Sequence, residues 1–437
     1  MALADYPSSV EEPRAPQEPQ RCEGPLSLEQ IVAGGLCIGC GLCAGLAGTD
    51  RVRLVMTPEG RERPVAVAPL STEEIERINA VCPGVRVDGA DPATLPPNVA
   101  TDLIWGPMQR VFIGHASDPA LRHRCSTGGV LTALGQFLLA SGRVKFILHV
   151  AASREAPMRS ERRLSFDRAS VLEGAGSRYG PAAPLVDFGA VLDRGEPFAL
   201  IAKPCDISAV RNLARIDPRV DRHLRYMLTL VCGGASDLTK SEDVLARFGI
   251  GEEELSLFRY RGYGNPGPTR LETKDGRVFE LTYQQLWEDE AKWMIQPRCK
   301  ICADAIGEAA DIAASDAWPG GGPTGEDEGF NGILVRTRRG AELFDAAVAA
   351  GALTVLQEID CREMDRLQPH QVRKKRAVWA RLAGMRAAGM PATVATGLRI
   401  EACARLNTLS ENLLEARGAR LRSKNGRLGE PKAVPRD

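Results

Sequence analysis

The chain has no apolar run approaching the ~20 residues that a membrane-crossing helix needs, so none is expected. Nor is there an excess of charge of either sign. Its 56 Lys and Arg are matched by 56 Asp and Glu, which gives no support to a polyanion-binding role. The leading stretch, Met1 to Gln20, is rich in Pro and Glu and lacks the apolar centre of a secretion signal. It reads as part of a disordered leader over residues 1–26. Histidine is scarce, at five residues, and none falls in a His-x-x-x-His or mixed Cys/His zinc pattern. No internal repeat is present.

Cysteine, by contrast, is plentiful. Twelve in 437 residues is too dilute for a small disulfide scaffold. Without a secretion signal the expected compartment is the reducing cytoplasm, where closely spaced cysteines are metal ligands more often than disulfides. The rest of the composition, 44% hydrophobic and 26% charged, is that of an ordinary globular protein with room for two or three domains.

Composition shifts divide the chain. After the leader, residues 27–88 form a small Cys-bearing module ending near Cys82-Pro83-Gly84, and a Pro- and Asp-rich linker runs to Asn98. Residues 109–237 alternate helical and strand patterns: a helix over Gly128–Ser141 and strands at Val144–Ala151, Phe198–Ala202 and Tyr226–Val231. Residues 238–357 predict a helix at Lys240–Phe248, a hairpin within Thr269–Thr282, a strand at Gly332–Arg336 and a helix at Ala341–Ala350. Residues 358–437 are helical in pattern and basic.

The first cysteine cluster is Cys37-Ile-Gly-Cys40-Gly-Leu-Cys43. Two-residue gaps let one tight loop wrap three corners of a cuboidal 4Fe-4S cluster, with Gly39 and Gly41 free to take the φ values this requires. Bacterial ferredoxins supply a fourth Cys-Pro three residues on, but position 47 here is Ala. Cys82, followed by Pro83, is the natural fourth ligand, and Cys22 the fallback. The bland reading is a zinc knuckle or free thiols.

A second pair, Cys299-Lys-Ile-Cys302, suits zinc, a redox dithiol or a cluster equally. Cys205 and Cys232 each end an apolar strand-like run beside Pro or Gly. Spacing leaves open whether these four share a site or are separate buried structural cysteines. Cys125, Cys361 and Cys403 lack partners and read as packing residues, and His115 and His123 as hydrogen-bonded structural histidines. Arg373-Lys-Lys-Arg376 reads as a solvated helix face or a docking patch for an acidic carrier, and Trp318-Pro-Gly-Gly-Gly as a loop able to gate a site.

Between Val111 and Ala350 a series of segments stands in order: Cys125-Ser-Thr-Gly-Gly, Gly176-Ser-Arg-Tyr179, Lys203-Pro-Cys205-Asp, Val231-Cys232-Gly, Phe258-Arg-Tyr-Arg-Gly262, Cys299-Lys-Ile-Cys302-Ala-Asp304 and Asn331-Gly-Ile-Leu-Val-Arg336. On these the chain resembles the beta-subunit family of coenzyme F-420 hydrogenases and dehydrogenases, and its N-terminal module resembles the ferredoxin-like extension of longer members. The resemblance implies an α+β or α/β fold: a mixed-sheet flavin-binding core, a small N-terminal iron–sulfur module and a helical C-terminal region. It implies FAD and a 4Fe-4S cluster on Cys205, Cys232, Cys299 and Cys302, which makes two clusters with the one on Cys37, Cys40, Cys43 and Cys82. Ser126, Thr127, Gly128 and Gly129 would meet the flavin at a helix start, a motif that by itself is often a plain cap. Ser177, Arg178, Tyr179 and Lys203 would lie near the same group. Arg336 would pair with flavin phosphate or an acidic neighbour. Glu308 and Asp311 would cap a helix or tune the cluster.

The implied function is an oxidoreductase that moves electrons between a ferredoxin-like carrier, two clusters, FAD and a hydride acceptor or organic substrate, coenzyme F-420 among the candidates. The direction of flow is not readable from ligands. The alternatives are an electron-transfer subunit docked on a catalytic partner, and a zinc-binding structural protein. One departure is Asn265, which stands where relatives carry Cys before Pro-Gly-Pro-Thr.

Overall fold

The computed structural model describes residues 24–287 and 295–436. The predicted leader, apart from its last three residues, and Cys22 lie outside the described residues. The organising element is an eight-stranded sheet of β1 (Arg110–Ala116), β2 (Phe146–Ala152), β3 (Ser160–Ser165), β4 (Phe198–Ala202), β5 (Leu224–Leu230), β6 (Ile312–Asp316), β7 (Asn331–Val335) and β8 (Leu353–Glu358). Its spatial order is β8-β1-β7-β6-β5-β4-β2-β3. The four central strands, β6, β5, β4 and β2, run parallel, and both flanks are antiparallel.

Central parallel strands are covered on both faces, so their middles are mostly apolar. Phe146, Leu148, Phe198, Leu200 and Met227 point to one side, and Ile147, Ala199 and Leu228 to the other. The first face packs on α2 (Pro204–Leu213), through Ile207, Ala209, Val210 and Leu213. The second packs on α1 (Val130–Ala140) and α3 (Arg338–Ala349), through Val130, Leu134, Leu138, Leu343 and Phe344. The result is a three-layer α/β core. An antiparallel sheet of Leu255–Arg259, Thr269–Thr273 and Val278–Leu281 attaches to it, the last two strands forming the predicted hairpin.

The N-terminal module is a hairpin, Val52–Met56 with Glu62–Ala66, beside the short helices Leu28–Ala33, Leu42–Ala47 and Thr72–Val81. It shares its core with the C-terminal region, where Ile31, Val32, Leu36, Cys37 and Val87 pack on Val378, Leu382, Met385, Ala419 and Leu428. Those last residues belong to α4 (Pro369–Arg386), α5 (Leu409–Lys424) and the segment beyond. The strand Val394–Thr396 pairs with Arg86–Asp88 in parallel. The division expected at 237/238 falls between β5 and β6, neighbouring strands of one sheet.

Gly35 is where the two ends of the chain lock. Its φ is +64°, and a Cβ there would stand 1.7 Å from the Leu428 carbonyl oxygen. Gly35→Ala is expected to cost about 2–4 kcal/mol, combining backbone strain with overpacking. Denaturant unfolding should show a lower midpoint, and limited proteolysis a faster cut near the C-terminus.

Candidate functional site

The loop Cys37–Cys43 turns through Gly39 (φ +70°) and Gly41 (φ +87°) into the helix at Leu42. A side chain at Gly41 would strike the Val186 backbone at 2.8 Å, so the loop lies flat against the core. Cys82 caps the end of the helix Thr72–Val81 and is followed by the Pro83-Gly84 turn. The structure brings these four thiols together, and Cys37, Cys40 and Cys43 each feel the charge of Cys82. Burial pushes Cys37 up to about 11, with Cys82 adding to the rise and Arg63 opposing it. Burial likewise raises Cys40, Cys43 and Cys82. Backbone N–H groups point at the sulfurs: Gly39 N to Cys37 Sγ at 3.3 Å, Leu42 to Cys40, Ala44 to Cys43, and Val85 and Gly84 to Cys82. This is the amide cage that an anionic sulfur set requires.

The second set stands at the carboxyl edge of the parallel strands. β4 delivers Cys205 into the first turn of α2, and β5 ends two residues before Cys232. Cys299 lies on the helix Pro297–Lys300 and Cys302 just after it. All four line one pocket, together with Lys203, Arg298, Asp304 and Lys374. The Ala235 N–H donates to Cys299 Sγ at 3.3 Å, and the Cys302 thiol to the Asp304 carbonyl at 3.1 Å. Burial raises Cys232 to about 12, with Cys299 reinforcing it.

The two sets are neighbours. Ile38, inside the first Cys loop, lines the pocket of the second set. Asp206 is fully buried, and after burial itself it is the strongest influence raising both Cys40 and Cys205. It holds Lys203 Nζ at 2.8 Å. Burial alone would lower Lys203, but Asp206 and the thiols outweigh it and hold it up. Arg298, only 2% exposed, lowers both Cys82 and Cys299 while donating to the Pro83 carbonyl at 2.8 Å. Its Nε and Nη1 are buried without a partner. A buried guanidinium with two idle nitrogens, set between two groups of thiols, fits an anionic group held there. The second set lines a pocket rather than closing on a point, and among the described residues no three Cys, His, Asp or Glu side chains could share a single ion. The eight free thiols thus fall into two groups of four.

The flavin-expected residues form a separate group around Arg261. The Ser126 carbonyl accepts from Arg261 Nη2 at 2.6 Å, and Gly176 lies against both, since a Cβ there would stand 3.4 Å from the Arg261 carbonyl and 3.9 Å from Ser126 Oγ. Arg261 also reaches Asp316 at 3.1 Å and lies 4.7 Å from the Trp318 ring centre and 5.5 Å from that of Tyr283. Ser126 Oγ and Trp318 Nε1 are buried and unpartnered, so this group leaves two polar atoms idle. Thr127 is engaged, its hydroxyl donating to the Phe330 carbonyl at 2.9 Å. Gly129 (φ +76°) starts α1, but Asn331 Oδ1 already accepts the Val130 N–H at 3.2 Å, and a Cβ on Gly128 would stand 2.6 Å from the same oxygen. Ser177 is half-buried. Tyr179 packs edge-on against Tyr260 and Trp287.

Arg178 and Lys203 stand elsewhere. The Arg178 guanidinium donates to the carbonyls of Pro157, Met158, Arg159 and Phe258, so it ties loops together. Lys203 belongs with the second thiol set. Arg336 is fully buried and donates to the carbonyls of Trp105, Pro107 and Ile306 rather than to a surface acid. Glu308 is no helix cap but a buried carboxylate on Lys375 at 2.6 Å and on Arg399. Asp311 accepts the Met227 N–H at 2.7 Å and the Thr337 hydroxyl at 2.6 Å. The basic run is split: Arg373 is exposed, Lys374 lines the thiol pocket and Lys375 is buried. Sequence reasoning missed the roles of Arg298 and Arg261. Arg298 precedes the Cys299 pair and Arg261 lies within Phe258–Gly262, but an arginine carries no sign of where its guanidinium will lie.

If Arg298 balances the thiolates, Arg298→Gln should release iron to a chelator about 10–100-fold faster than the parent, the usual cost of losing an outer partner of a metal site. Chelator-release kinetics read at constant far-UV dichroism check this.

Residues 111–188 match the family described as "Coenzyme F420 hydrogenase/dehydrogenase, beta subunit N-term". Residues 195–360 match its companion, which describes the carboxy-terminal part of the same coenzyme F420 hydrogenase/dehydrogenase beta subunit, and the two matches together cover more than half of the chain. Among curated proteins, the coenzyme F420 hydrogenase subunit beta of Methanococcus voltae is 23% identical over 302 residues, covering 66% of this chain and 98% of that one. The F420-dependent formate dehydrogenase subunit beta of Methanocaldococcus jannaschii is 25% identical over 253 residues, 57% of this chain and 62% of that one. The chain thus spans less than two thirds of the formate dehydrogenase subunit's length. A chain of the F420-reducing [NiFe] hydrogenase complex from Methanosarcina barkeri superposes with a TM-score of 0.47 at 18% identity, over 63% of this chain and 95% of that one. With both halves of the family matched in order along one continuous sheet, the chain belongs to the coenzyme F420 hydrogenase/dehydrogenase beta subunit family.

Proposed function

We propose that the protein is an iron–sulfur flavoprotein that passes electrons as the beta subunit of a larger oxidoreductase. The observation that carries this reading is the pairing of two four-thiol rings through shared charged groups, Asp206 and Arg298, in one continuous interior. Cys37, Cys40, Cys43 and Cys82 would hold one 4Fe-4S cluster, and Cys205, Cys232, Cys299 and Cys302 the other. FAD would lie against Ser126, Gly176, Ser177, Tyr179, Arg261 and Trp318. When bound, these groups supply one-electron transfer through iron and two-electron chemistry at the flavin.

The chain's own side chains do the rest. Lys203, Arg298 and Lys374 would offset the charge of cluster-bound thiolates, and backbone amides stabilise the sulfurs. Arg261, fixed on the Ser126 carbonyl and Asp316, places a cation beside the two idle polar atoms, Ser126 Oγ and Trp318 Nε1. A subunit role is favoured over a solo enzyme because four of the six matched relatives are named as beta subunits, although one is named as a coenzyme F420-dependent sulfite reductase. The partner would be a catalytic subunit or a ferredoxin-like carrier. The two-electron acceptor or donor would be a hydride-accepting small molecule, with coenzyme F-420 the first to try.

Anaerobic purification with iron, acid-labile sulfide, zinc and flavin analysis tests this. The expected result is about eight iron per chain, four for each ring, with one FAD. Cys82→Ala and Cys205→Ala should each remove about half of the iron. Zinc without flavin would overturn the reading. Turnover of coenzyme F-420 by the isolated chain with a reduced ferredoxin would replace the subunit role with that of a self-sufficient enzyme.

A further inference from the structure

The opposite edge of the main sheet carries a second feature that the electron-transfer reading does not use. At the amino ends of β4 and β5, Arg143, Arg225 and Arg339 converge with Tyr226 and Pro197 on a cavity of about 370 Å³. That is within the usual range for small-molecule sites. It is a crevice between the chain just past α1 and the start of α3, with the sheet edge as its floor. The Lys145 N–H donates to the Pro197 carbonyl at 2.7 Å and fixes that floor.

Two of the three guanidiniums are held in place. Arg339 Nη1 donates to the carbonyls of Leu224 at 3.3 Å and Arg225 at 2.5 Å. Arg143 Nη1 donates to the Tyr226 hydroxyl at 3.3 Å, and its guanidinium lies 5.9 Å from the Phe137 ring centre. Arg225 is exposed. Other arginines of this chain that stand near carboxylates pair with them, as at Arg61, Arg63, Arg159, Arg261 and Arg399. Among the described residues none of these three has an ion-pair partner, although three like charges converging on one crevice repel one another. α3, twelve residues long, adds the positive end of its dipole at Arg338 and Arg339.

We propose that this crevice is an anion site for a compact phosphate-bearing small molecule, with Arg143, Arg225 and Arg339 as the recognising groups. Guanidinium forks match phosphate oxygens in pairs, and three of them around one cavity favour a di- or polyanion over a monovalent ion. The site is a strand's length from the thiol pocket, so occupancy would act on stability or on assembly rather than directly on the redox groups.

The test is calorimetric titration of the full chain, purified with its iron and saturated with FAD, against inorganic pyrophosphate, orthophosphate and ADP, with chloride at matched ionic strength as reference. Pyrophosphate or ADP is expected to bind at one per chain and to raise the melting temperature. In the Arg143→Gln/Arg225→Gln double variant the affinity should fall by about tenfold or more, with iron and flavin content unchanged. ADP binding more tightly than pyrophosphate would identify a nucleotide, and equal binding a simple phosphate ester. Absence of binding at millimolar concentration would overturn the proposal, as would affinity that the variant leaves intact. If the double variant folds poorly, Arg225→Gln alone, at an exposed side chain, serves the same comparison.

Discussion

Arg298 lies between Cys82 of one thiol ring and Cys299 of the other, almost wholly buried, with two of its nitrogens idle. A charge in such a place is costly unless something of opposite sign stands beside it. The same constraint explains the neighbouring groups. Asp206 is buried between Cys40 and Cys205 and is answered by Lys203, while Lys374 faces Cys232 and Cys299. Backbone amides of Gly39, Leu42, Ala44, Gly84, Val85 and Ala235 are turned onto sulfur. Burial alone favours neutral thiols here, and the cations and amide dipoles stand where the negative charge of the proposed clusters would meet them.

The sheet makes this possible. Parallel strands deliver their carboxyl ends to one edge, and ligands in open α/β sheets bind beyond that edge. β4 and β5 set Cys205 and Cys232 there as neighbours, and β6 sets Asp316 and Trp318 beside them, where Arg261 meets both. The group around Arg261 and the thiol pocket are therefore products of one piece of topology. The N-terminal loop reaches the same edge because its flat Gly41 lies on Val186 and its helices share a core with α4 and α5.

The departures from expectation concern polar side chains. Asn331 occupies the first amide of α1, which a phosphate was expected to meet. Arg178 and Arg336 spend their donors on backbone carbonyls, and Glu308 neutralises Lys375 inside the core. Each obeys the rule that a buried polar group must be paired. Which partner it finds depends on segments far away in sequence.

Local pattern was enough for some of the main elements, but not for β1, β3, β6, β8 or α2. The apolar runs at Phe198–Ala202 and Gly332–Arg336 fall on β4 and β7 within a residue, and the helical pattern at Gly128–Ser141 on α1, because side-chain period and burial are properties of contiguous residues. The spacing of Cys37, Cys40 and Cys43 likewise fixes a three-cornered loop, since glycine at 39 and 41 permits the turn and little else fits. Only the tertiary structure decided that Cys82 faces that loop, that Cys205, Cys232, Cys299 and Cys302 line one pocket, and that Asp206 and Arg298 stand between the two rings. Those meetings join residues tens to hundreds of positions apart. They follow from strand order and from the direction in which each long side chain finds a partner, and neither is written in any local stretch of sequence.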